Sequence, residues 1–122
     1  MAFKSGLKQV GVRQNSKSEI IAFRVDDSDV GASYSTDGLD EGSNYATIKT
    51  SATGTYQIQL NRACRRIPVI IGAIGTGEVF VRIATPPTAA GFIEVRVEDD
   101  AGSDIDADFH LTLLCFYAEK ER

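Results

Sequence analysis

Residues 107–117 read ADFHLTLLCFY, and no other stretch narrows the fold as much. Asp108 aside, the run is long and largely apolar, with no Gly or Pro. It suits a central β-strand better than an exposed helix. At the two-residue period of a strand, Phe109, Leu111, Leu113, Cys115 and Tyr117 share one face. That face is apolar throughout and belongs on a core. His110, Thr112, Leu114 and Phe116 share the other, and a strand with a wet back has no need of Leu and Phe there. Something other than water must cover it.

The rest of the chain supplies partners for this strand. Residues 19–25 (EIIAFRV) form the first firm strand, with Ile21, Phe23 and Val25 inward. Residues 26–44 are loop, dense in Asp, Ser and Gly, with a short strand at 30–34. Residues 45–50 and 55–60 pair as a hairpin around a turn at 51–54, with Tyr56, Ile58 and Leu60 inward. Residues 61–67 connect, and their Arg62, Arg65 and Arg66 are solvated. Residues 68–74 (PVIIGAI) are apolar on both faces and read as a central or doubly covered strand. A turn at 75–77 leads to a strand at 78–84, and 85–91 is a loop holding Pro86-Pro87. In residues 92–98, Ile93, Val95 and Val97 lie inside, while Glu94, Arg96 and Glu98 make a wet edge face. No stretch carries a helical period. About seven to nine short strands with regular turn signals predict an all-β chain. The expected architecture is an antiparallel β-sandwich or jelly roll over 19–122, preceded by an extended arm over 1–18.

Charge divides at the same boundary. Lys4, Lys8, Arg13 and Lys17 stand in the first 17 residues without an acid; because the whole chain carries −4, the remainder carries −8. An acidic body repels phosphates, which argues against nucleic acid as a partner. The basic arm suits docking on an acidic protein surface. The N-terminus shows no continuous apolar signal-peptide core, and no segment is long enough to span a bilayer as a helix. Synthesis in a reducing cytoplasm follows from the two isolated cysteines, Cys64 and Cys115.

Catalytic chemistry is not evident. There is no GxSxG, HExxH, Walker loop or GxGxxG, and His110 is the only histidine. Gly72, Gly75 and Gly77 make a hairpin turn rather than a phosphate loop. Cys64 sits among arginines but lacks a base; Cys115 reads as a buried hydrophobe. His110 shares its face with Asp108 and belongs in a packed contact. No metal is expected; the best candidate for a cation is the acidic turn, where Asp104, Asp106 and Asp108 share strand spacing, though without the closing Glu of an EF-hand, and the loop with Asp37, Asp40 and Glu41 is a weaker one. The expectation is no cofactor and no enzyme.

Leu114 and Phe116, with Ile20, Ala22, Ile70 and Ile74, lie off the main core and form an apolar patch if they are neighbours. A small chain covers such a patch by rotational symmetry. The order of Thr53-Gly-Thr-Tyr56-Gln-Ile-Gln-Leu60, Pro68-Val-Ile-Ile71, Gly91-Phe92 and Asp106-Ala-Asp-Phe-His110 resembles a group of phage virion modules. These occur as trimeric jelly-roll capsid decoration (cement) proteins and as tips of head or tail fibres. The likeness covers about residues 45–117. It implies a homotrimer with His110, Thr112, Leu114 and Phe116 at the subunit contact, bound to the major capsid protein on the phage head. Lys4, Lys8, Arg13 and Lys17 would then dock the arm. The alternative is a receptor- or glycan-binding tip, to which Tyr34, Tyr45 and Asn44 near Asp37 would contribute.

Overall fold

The computed structural model describes residues 16–85 and 87–118, with only the backbone for Ser16, Lys17 and Ala118. Among them, β1 (Ser16–Val25), β2 (Leu39–Glu41), β3 (Ala46–Ala52), β4 (Thr55–Leu60), β5 (Val69–Gly75), β6 (Phe80–Thr85), β7 (Phe92–Glu98) and β8 (Phe109–Ala118) follow in order. They build two four-stranded antiparallel sheets, β2-β1-β8-β5 and β3-β4-β7-β6. The second sheet is two hairpins, β3–β4 and β6–β7, joined through β4 and β7.

The sheets face each other over one core. Ile21, Phe23 and Val25 of β1 and Phe109, Leu111, Leu113, Cys115 and Tyr117 of β8 meet Ala46, Ile48, Tyr56, Ile58, Leu60, Ile93, Val95 and Val97 of the second sheet. Each is buried, as strict alternation requires. The β1–β8 ladder runs ten residues without a slip, from Ser16 opposite Ala118 to Val25 opposite Phe109. The C-terminal strand is therefore interior to its sheet, as its apolar run predicts.

Four expectations are corrected. Residues 30–34 form no strand; a 3₁₀ turn at Asp27–Asp29 and the short β2 occupy that loop. Asp26 caps the turn, its carboxylate accepting from the Ser28 amide at 3.1 Å. β1 starts at Ser16, so residues 16–18 are strand rather than arm. β7 lies between β4 and β6 and is not an edge, although its outer face is polar as expected. Conversely β5, expected to be central, is the edge of its sheet. A bulge lies between Ile70, opposite Leu113, and Gly72, opposite Thr112. The extra residue reverses the faces beyond it. Ile70 and Ala73 both pack on the core, while Ile74 faces out beside His110.

Candidate functional site

The ladder register converts the outer face of the first sheet into rows that cross three strands. Ile20, Leu114 and Val69 form one; Ala22, Thr112 and Gly72 the next; Arg24, His110 and Ile74 the third. Ser18 opposite Phe116 completes the face. Of the residues expected off the core, Ile20, Ala22, Ile74, Leu114 and Phe116 come together here, and the bulge removes Ile70. Leu114, Thr112 and Phe116 are half-buried and His110 is exposed.

The most open apolar residues lie further toward β5. Ile20, Ile67, Val69, Ile71, Ile74 and Phe80 are each 50–69% exposed. β5 and β6 are the edges of the two sheets on the side where these approach one another. The apolar surface thus includes the back of β1-β8-β5 and the open β5 edge, while Phe80, opposite Glu98, lies on the outer face of the second sheet. Period-two reasoning missed its centre, because an edge strand and a central strand carry the same alternation. PVIIGAI carries no signal that separates the two, since Pro just ahead of a strand is allowed at an edge and at a centre alike.

Polar groups frame the surface. Arg24 stands 4.0 Å from both Asp40 and Glu41. The Arg66 guanidinium lies over the Phe116 ring, 4.8 Å from its centroid, and the Arg65 amide donates to the Phe116 carbonyl. The arginine cluster is thus exposed, as expected, yet Arg66 is stacked on an aromatic ring rather than merely solvated. Lys4, Lys8 and Arg13 lie outside the described residues. The backbone of Lys17 pairs with Tyr117 within β1–β8.

The Asp-Ala-Asp-Phe-His run plays a structural part at one end of the sandwich. Asp106 accepts the Gly54 amide at 2.8 Å, and Asp108 accepts the Asp27 amide at 2.9 Å. Asp104 is 3.9 Å from Arg96 instead. The three carboxylates thus turn to three separate partners. Among the described residues no three His, Cys, Asp or Glu side chains could hold a metal ion. Asp108 is likewise drawn to Asp27 rather than reserved for His110.

Tyr56 completes this lock. Its ring packs 5.0 Å from Phe109, its hydroxyl donates to the Asp27 carboxylate at 2.5 Å, and it accepts the Ala107 amide at 3.3 Å. Burial, then the hydrogen bond to Asp27, raise its phenol well above the ordinary value. Gly54 carries φ +70°, and a Cβ there would meet the Val97 carbonyl oxygen at 2.7 Å and the Ile105 amide at 2.9 Å. Both Thr-Gly-Thr-Tyr and Asp-Ala-Asp-Phe-His are thereby explained as halves of one internal junction.

The cysteines are reduced and buried. Burial, then a hydrogen bond with Cys64, push the Cys115 thiol up to about 12. Cys64 is thus placed against another thiol rather than opened to substrate.

At the opposite end of the sandwich, Glu19, Asn44, Tyr45, Asn61, Arg62 and Tyr117 line a cleft of about 250 Å³. Tyr45 and Asn44, expected beside Asp37, are on this cleft; Tyr34 is not, and the Lys49 ammonium lies 5.0 Å from its ring centroid instead. No protein-family model, curated protein or solved structure matches the chain.

Proposed function

We propose that the protein is a structural virion component, a capsid decoration protein that assembles as a homotrimer on the surface of a phage head. The observation that carries this reading is the apolar back of the first sheet, continued over the β5 edge. Burying an Ile or Val that is half exposed or more contributes about 1–2 kcal/mol. Five such side chains per copy reach the range of about 4–15 kcal/mol that association costs in lost freedom. Arg24, at one end of the face, lies 4.0 Å from both Asp40 and Glu41, so a contact that reaches its row does not bury an unpaired charge there.

In this reading the sandwich is a jelly-roll-type module and the subunit contact includes His110, Thr112, Leu114 and Phe116, extended by Val69, Ile71 and Ile74. The basic residues Lys4, Lys8, Arg13 and Lys17 dock on the major capsid protein. The protein is made in the host cytoplasm and ends on the virion. Its work is binding linkage: a clip that binds only the expanded shell stabilises that shell by mass action. No bond is made or broken, consistent with carboxylates and a tyrosine that are engaged in holding the fold.

Light scattering tests the assembly, and co-sedimentation with expanded and unexpanded capsids tests the docking. The expected result is a particle of three 13.2 kDa chains that sediments with expanded shells alone. A monodisperse monomer, or a trimer that ignores both shells, overturns the proposal.

A further inference from the structure

We propose that the cleft between the sheets is a binding site for one neutral pyranose unit of a glycan, a recognition role separate from assembly. Its position follows from the sequence: Glu19 is in phase with Ile21, Phe23 and Val25, so a charge ends the apolar face of β1 where the core stops. Tyr117 ends the corresponding face of β8. Across from them stand Asn44 and Tyr45, just before β3, and Asn61 and Arg62, just after β4. The sheets part here around polar side chains instead of closing on apolar ones.

The walls are held before any ligand arrives. The Asn61 amide donates from its backbone to the Tyr45 carbonyl at 2.8 Å and from its side chain to the Asn44 carbonyl at 3.3 Å. The Arg62 guanidinium lies over the Tyr117 ring at 4.1 Å. Such preorganisation lowers the cost of binding.

The lining selects the ligand class. Two side-chain amides and one carboxylate offer both donors and acceptors, the pairing that vicinal hydroxyls require. Tyr45 is 40% exposed and presents a ring on which the C–H face of a sugar can lie. The Glu19 carboxylate on the lining disfavours a phosphate or a polyanion. At about 250 Å³ the cleft falls below the roughly 300–1,000 Å³ of sites for drug-sized ligands. It takes one ring of a chain, with the remainder in solvent.

The test is an NMR titration of the full chain with methyl β-glucoside, methyl β-galactoside and N-acetylglucosamine. At least one is expected to give saturable shifts at the six lining residues with a Kd of about 1–10 mM. Tyr45→Ala should weaken binding about tenfold or more and Glu19→Gln about threefold, while Lys49→Ala, away from the cleft, leaves it unchanged. The Glu19 variant reports the result if Tyr45→Ala fails to fold, since Glu19 is exposed. No saturable shift with any of the three sugars up to about 50 mM, or saturable shifts that Glu19→Gln leaves unaltered, overturns the proposal. Neither outcome depends on whether the protein binds capsids.

Discussion

The two sheets share one core but have opposite backs. Behind the second sheet, Gln57 reaches Glu94 at 3.4 Å, Arg82 pairs with Glu98 at 3.1 Å, Thr85 donates to Glu94 at 2.8 Å and Arg96 donates to Thr55 at 3.3 Å. These cross-strand polar pairs leave little apolar surface, Phe80 at the edge excepted. Behind the first sheet the equivalent rows are Ile20-Leu114-Val69 and Ala22-Thr112-Gly72. Two four-stranded antiparallel sheets thus make one surface that water satisfies and another that it does not. Under the proposed assembly the difference would put the contact on the first sheet, because exposed apolar area is what a partner removes from water.

Charging each back in turn gives the largest expected effect. Ile74→Asp should reduce the assembly to monomers in light scattering while circular dichroism still reports a folded β protein; Phe116→Asp should do the same. Gln57→Asp, on the polar back, should leave the particle mass unchanged. Equal responses from both backs would remove the distinction between them.

Below the backs lies the junction that holds both sheets at one end, and it answers in stability rather than in assembly. Gly54→Ala should cost about 3–5 kcal/mol, because it combines a positive φ with overlap against backbone that cannot move aside. Urea unfolding should show a lowered midpoint at unchanged slope. Tyr56→Phe keeps the ring on Phe109 but leaves the Asp27 carboxylate without its hydroxyl donor, with an expected loss of about 1.5–3 kcal/mol in the same measurement. An unchanged midpoint would mean that packing alone holds the junction.

The smallest effect belongs to the polar back. Arg82→Ala removes an ion pair in which Arg82 is half exposed, and it should shift stability by less than about 1 kcal/mol. A larger loss would show that the second sheet depends on its charges and that its back is more than a wetted surface.

The core was legible residue by residue. Ile21, Phe23 and Val25, Tyr56, Ile58 and Leu60, Ile93, Val95 and Val97, and the odd-numbered residues of 109–117 all face inward, because side-chain direction along a strand is a local property with period two. The candidate site was only partly legible. Leu114, Phe116, Ile20 and Ala22 were assigned to the outer face from alternation alone, but Ile70 was misplaced by the bulge. The β5 edge went unseen for a related reason: apolar on both faces describes a central strand and an association-prone edge equally well.

The amino-acid order by itself determined which side chains turn inward along each strand, where the turns fall, and that the last strand is apolar on both faces. Tertiary structure alone decided which strands are neighbours, where β5 gains its extra residue, and that Asp106, Asp108 and Tyr56 belong to one junction. Pairing of residue 27 with 56 and 108, and of 54 with 106, spans dozens of positions and leaves no periodic trace in the chain. It is settled by which sheets can close over a common core, a property of the whole molecule.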